Sequence, residues 1–218
     1  MQLIASRRHT AIVIAILAFL AIGGYSANVN RKPKQPPNRP VLYVSVIIGQ
    51  LLLTYYVKIG LRGVTIRDLI APRWTPKQFA LDILLAALLW AGWGYTSELI
   101  KRAIGVVDNR VAPLRPQNTL EVALWIAVSI TAGICEEIVF RGYLQRQLGA
   151  LAHSITAGIA LQAIVFGFSH GYQGLKSMMM ITIYGALFGI LAWWRKSLVP
   201  GMLAHFWTDA SSVVIGAL

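Results

Sequence analysis

Residues 120–141 read LEVALWIAVSITAGICEEIVFR. Up to Phe140 this is a single apolar run, and crossing a hydrocarbon core takes roughly 20 helical residues. It closes on two adjacent carboxylates, Glu136 and Glu137, followed by Arg141. Ionisable groups at bilayer depth are costly unless paired or hydrated, so a cluster of them marks a functional site by default. One stretch therefore predicts both a membrane helix and the place where chemistry sits.

Working outward, six further apolar segments lie at 11–25, 41–57, 79–100, 152–170, 178–194 and 198–218. Their runs are continuous rather than alternating, which excludes barrel strands. The expected fold is all-α, a polytopic membrane bundle of about seven transmembrane helices. By length the first, second and sixth of the seven segments are the marginal spans. Between Gly60 and Gln78, Arg62, Arg67, Arg73 and Lys77 interleave with Leu61, Val64, Ile66, Leu69, Ile70 and Trp74. That pattern suits an amphipathic surface segment, or a solvated basic loop.

The composition agrees with a membrane protein, at 56% hydrophobic and 13% charged residues over 218 positions. A net charge of +12 comes from Lys and Arg placed in short stretches between the apolar runs, not on one face. This favours anionic lipid headgroups over nucleic acid as partner. Counting Lys and Arg on alternate sides of seven spans puts 11 of the 20 on the N-terminal side and leaves 9 opposite, which decides no orientation. The single cysteine, Cys135, excludes an intramolecular disulfide and reads as a small buried apolar residue.

Two regions are expected. Residues 1–40 form an N-terminal transmembrane anchor and a basic linker, with Pro33, Pro36, Pro37 and Pro40 among Arg31, Lys32, Lys34 and Arg39. Residues 41–218 form the bundle, with the motif core at 120–218. The anchor follows Arg7, Arg8 and His9 and has small residues at Gly24 and Ser26, as the start of a secretory signal does.

On a helix Glu137 and Arg141 share a face at four-residue spacing and can pair. Glu136 points about 100° away, which leaves it open to a cavity as a general base. In the fifth segment Phe166 stands one turn before His170. In the last, His205 and Asp209 again share a face, so the aspartate can fix the imidazole tautomer.

Together, Glu136-Glu137-Ile-Val-Phe-Arg141, Phe166-Gly-Phe-Ser-His170 and His205-Phe-Trp-Thr-Asp209 resemble the three motifs of the CPBP (Abi) family of membrane proteins, which includes the type II CAAX prenyl endopeptidases. Each piece is short, and their order and spacing on apolar helices carry the specificity. The resemblance implies a glutamic intramembrane protease in which Glu136 and His170 activate water while His205 and Asp209 bind the oxyanion or orient substrate. Glu137, Arg141 and Phe166 would support them. It implies a membrane-associated or lipidated peptide or protein substrate and a multi-pass location, here expected in a bacterial plasma membrane. The prenyl endopeptidases carry asparagine where this chain has Asp209, and an ionised aspartate cannot donate to an oxyanion. Support of His205 is therefore the favoured role.

The expected cofactor set is none. Two histidines with carboxylates are a chemically adequate zinc set, but the H-E-x-x-H pair is absent. Two non-proteolytic readings stand beside the enzyme: a membrane scaffold or bacteriocin-immunity-type protein that keeps the polar cluster for helix association, and a proton-coupled carrier.

Overall fold

The computed structural model describes residues 2–29, 37–71, 75–104 and 111–214. Nine α-helices are found among them, and no strand. They are α1 (Arg7–Val29), α2 (Arg39–Gly60), α3 (Ile66–Ile70), α4 (Pro76–Ile104), α5 (Thr119–Glu136), α6 (Gln145–Leu151), α7 (Ile155–Ser169), α8 (Leu175–Arg195) and α9 (Val199–Val214). A π-helical turn, Glu137–Leu144, joins α5 to α6 without a break, so 119–151 runs as one rod.

Among the described residues, five helices are long and apolar enough to cross a bilayer: α1, α2, α4, the α5–α6 rod and α8. The chain is accordingly an integral, multi-pass membrane protein. Each of the seven apolar segments contains a helix among the described residues, but the marginal ones differ from expectation. The first, second and sixth reach 23, 22 and 21 residues because each helix continues through flanking polar residues such as Arg7, Arg39 and Arg195. The short ones are α7 and α9, with 15 and 16 residues. At 1.5 Å per residue such helices fall short of the hydrocarbon thickness. α7 is bounded by local chemistry on either side. The Ser154 hydroxyl accepts from the Ala157 N–H at the start of α7, and Gly174, at φ +94°, turns the chain into α8 in a conformation that a side chain resists.

The core forms around the π turn, all eight of whose residues are buried. Ile138, Val139, Phe140, Tyr143 and Leu144 pack with Val13 and Leu17 of α1, Val57 of α2 and Phe166 of α7. The start of the chain is tied in as well. The Gln147 side chain accepts from the Ile4 and Ala5 N–H groups and donates to the Ala5 carbonyl, at 2.9, 3.2 and 2.8 Å. By contrast, Leu51, Leu52 and Tyr55 of α2 and Leu84 and Leu88 of α4 are exposed, as side chains facing acyl chains are.

The amphipathic stretch after α2 turns its apolar side onto protein. Leu69 of α3 is fully buried, and Leu61, Val64, Ile66 and Ile70 pack on the same core, while Arg62 and Arg67 stay exposed. A Cβ on Gly142 would lie 3.3 Å from the Leu69 Cβ, so the close seat of α3 depends on that glycine. A capping box between Thr65 and Asp68 starts α3. Arg73 and Trp74 lie outside the described residues, as does the linker at 30–36.

Candidate active site

Three helices and the π turn bring the polar residues to one place. Glu136 is the last residue of α5 and Glu137 the first of the π turn; His170 caps the C-terminus of α7; His205 and Asp209 lie on α9. A π turn inserts an extra residue into the helical ladder and re-aims the side chains around it, which is why such turns collect at functional sites. Here it allows two adjacent carboxylates to serve one cluster from different directions.

Both imidazoles meet Glu136. Its Oε2 lies 4.0 Å from the His170 Nε2 and 3.9 Å from the His205 Nε2. Each ring is held through its other nitrogen. The His170 Nδ1 is 2.8 Å from the Phe166 carbonyl oxygen, and the His205 Nδ1 is 3.3 Å from the Glu137 Oε1. Carbonyl and carboxylate oxygens only accept, so in both rings Nδ1 carries a proton. Both Nε2 atoms thereby face Glu136, at separations longer than a direct hydrogen bond.

Glu137 is fully buried beside an equally buried Arg141, with Oε1 2.9 Å from Nη1. The guanidinium N–H groups are not directed along that vector, since none of them makes a hydrogen bond among the described residues. The contact is a charge pair, and the faces of Phe166 and Phe188, 4.1 and 4.9 Å from the guanidinium carbon, supply the rest of its surroundings. Gly201 gives room for this arrangement, since a Cβ there would stand 2.8 Å from the Glu137 Oε2. Phe166 also meets both imidazoles edge-on, with centroids 4.7 and 5.9 Å away.

Two expectations are corrected. Asp209 does not fix the tautomer of His205. Its Oδ2 is 3.6 Å from Nε2, beyond hydrogen-bond distance and on the nitrogen that faces Glu136, whereas Nδ1 belongs to Glu137. The cause is register: α9 packs against α5 so that the ring edge nearest the π turn is Nδ1. Nor is Glu136 without a partner. The Gln50 amide of α2 donates to its Oε1 at 3.0 Å, and only Oε2 stays buried without a hydrogen bond among the described residues. Gln50 was missed, although a lone amide within the apolar stretch 41–57 is a signal that could have found it.

Among the described residues no group of three or more His, Cys, Asp or Glu side chains is arranged to hold a metal ion.

Residues 118–211 match the family model described as type II CAAX prenyl endopeptidase Rce1-like. The match spans all three motifs and leaves α1 to α4 outside it. It is the family that those motifs resemble, and the similarity covers 94 of the 218 residues. No curated protein and no solved structure matches the chain.

Proposed function

We propose that this protein is a glutamic intramembrane endopeptidase that hydrolyses a peptide bond of a membrane-associated substrate. The observation that carries the reading is the convergence of Glu136 Oε2 and the two Nε2 atoms, across gaps of 3.9 and 4.0 Å. A water there gives one hydrogen to Glu136 and the other to the His170 Nε2, which turns an oxygen lone pair toward the substrate carbonyl. Glu136 removes the first proton as the oxygen–carbon bond forms. The carbon–nitrogen bond then breaks, and the proton held by Glu136 passes to the leaving amine, so the site returns to its starting state.

His205 serves the oxyanion. Carboxylate oxygens of Glu137, Asp209 and Glu136 lie 3.3, 3.6 and 3.9 Å from its ring nitrogens and complement an imidazolium. In that form Nδ1–H stays on Glu137 and Nε2–H donates to the developing negative charge. A preorganised donor of this kind is worth about 3 to 4 kcal/mol in a water-poor site. Asp209 supports His205 electrostatically and does not itself donate. The reaction as written uses no metal, and chelation tests this: activity lost to a chelator and restored by stoichiometric zinc would reject it.

The substrate class follows from location, a chain or lipidated tail that reaches the site from the bilayer, and the proposed location is a bacterial plasma membrane. The deciding experiment is cleavage of fluorogenic peptides with and without a farnesyl group by purified protein and by Glu136→Gln. Cleavage by the wild type alone is expected. Equal cleavage by both would reject the assignment of Glu136 as base.

A further inference from the structure

The first half of the chain lies outside the family match, yet it places a side chain against the proposed base. Gln50 sits mid-helix on α2, which packs along α5 and is registered there at its far end. The Tyr43 ring meets Trp125 edge-on at 5.5 Å, and Arg39 stands 3.7 Å from Glu121. From this fixed position the Gln50 amide touches two residues of α5. Its Oε1 is 2.6 Å from the Thr131 hydroxyl and its Nε2 is 3.0 Å from the Glu136 Oε1.

The order of these hydrogen bonds is set by chemistry. An ionised carboxylate accepts and never donates, so the amide side that faces Glu136 is the NH2 group. Were the amide reversed, its carbonyl oxygen would meet the Glu136 Oε1 acceptor to acceptor. The Gln50 carbonyl therefore faces Thr131, whose single hydroxyl proton has three acceptors near it: the Gln50 Oε1 at 2.6 Å and the Val128 and Ala127 carbonyls at 3.0 and 3.1 Å. The shortest contact is with Gln50. A relay from Thr131 through Gln50 to Glu136 results, and it occupies one carboxylate oxygen while the other faces the imidazoles.

We infer that Gln50, held by Thr131, is a positioning residue that locks the Glu136 carboxylate with Oε1 engaged and Oε2 presented to the reacting water. The inference rests on the reading of Glu136 as base and extends the machinery to a helix outside the matched segment. Without the relay the carboxylate rotates among several orientations, so its turnover falls while substrate binding, which Gln50 does not touch, is unaffected.

The test compares peptide cleavage by the wild type, Gln50→Leu, Thr131→Val and Thr131→Ser, together with infrared spectra of each protein, in which the Glu136 carboxylate band is the one missing from Glu136→Gln. Expected for Gln50→Leu is a fall in kcat of about ten- to a hundredfold, the scale of one hydrogen bond to a charged group, with KM and melting temperature unchanged and the band shifted. Thr131→Val should lose a smaller factor, and Thr131→Ser, which keeps the hydroxyl, should restore wild-type turnover. Unchanged kcat in Gln50→Leu, or an unshifted band, would overturn the inference. Should Gln50→Leu fail to fold, the contrast between valine and serine at position 131 decides it: equal turnover in the two overturns the relay. If the wild type cleaves no peptide, the proteolytic reading falls, and the band in Gln50→Leu still decides whether the amide holds the carboxylate.

Discussion

The two neighbouring glutamates differ in what surrounds them, and their substitutions should differ accordingly. Glu136 is partly exposed and engages the site, so Glu136→Gln should lower cleavage by about 10²- to 10⁴-fold, the range for a general base, with little change in melting temperature. Glu137 is wholly buried against Arg141 and also holds the His205 Nδ1. Glu137→Gln leaves a buried guanidinium without its counter-charge, a loss of about 3 to 5 kcal/mol, and should be seen first as loss of folded protein in thermal melts. Asp209→Asn should be mild, with kcat retained to within about tenfold, because Asp209 lies 3.6 Å from the ring and is partly exposed. A loss as deep as that of Glu136→Gln would instead make Asp209 a catalytic residue.

At the scale of elements, the seams between helices depend on missing side chains. A Cβ at Gly133 would lie 2.8 Å from the Met202 carbonyl oxygen, and one at Gly158 would lie 2.4 Å from the Gln145 carbonyl oxygen. Neither backbone atom can yield as a side-chain tip does. Gly133→Ala should therefore push α9 from α5, carry His205 off Glu137, and reduce both activity and melting temperature by overpacking, which costs typically 1 to 3 kcal/mol. Gly185 and Gly189 work the same way on α8, where added Cβ atoms would meet Phe166 and the Gln145 and Gln162 amides. The capping box of α3 makes a separate, pH-dependent prediction. Hydrogen bonds from the Thr65 hydroxyl and N–H hold the Asp68 carboxyl below its ordinary value of 3.8. The folded-state value is thus the lower one, so the stabilisation is present above the unfolded value and lost as pH falls through the folded one. The difference in melting temperature between wild type and Asp68→Ala should be present at about pH 7 and vanish on acidification.

Across the described residues, the exposed apolar sides of α2 and α4 and the buried π turn describe a bundle with apolar outer faces and the Glu–His cluster inside, the reverse of a soluble protein. The scaffold reading needed the pair of Glu137 and Arg141 but had no use for a second acid aimed at two imidazoles, and the structure brings that second acid to both. A proton-coupled carrier remains distinguishable by pH-driven flux in liposomes, which this protein should not show. The Gln147 clamp on Ile4 and Ala5 predicts that Gln147→Leu, which strands two buried N–H groups, should lower the melting temperature by a change of about 1 to 3 kcal/mol per group.

Much of this was legible in the sequence, because burial in lipid demands long apolar runs and helical backbone, and because spacings of four residues fix which side chains share a face. Glu136, Glu137, Arg141, His205 and Asp209 could be chosen on that ground, whereas Phe166 and His170 gained weight only from the resemblance of the three motifs to a known family. Tertiary structure decided what each one touches. The π turn, the seating of α3 on the core, the assignment of His205 to Glu137 rather than Asp209, and the hold of Gln50 on Glu136 depend on distances between segments far apart in the chain. Local periodicity carries no information about which helices become neighbours or at what height they meet. That is settled only when volumes and hydrogen bonds are satisfied together in three dimensions.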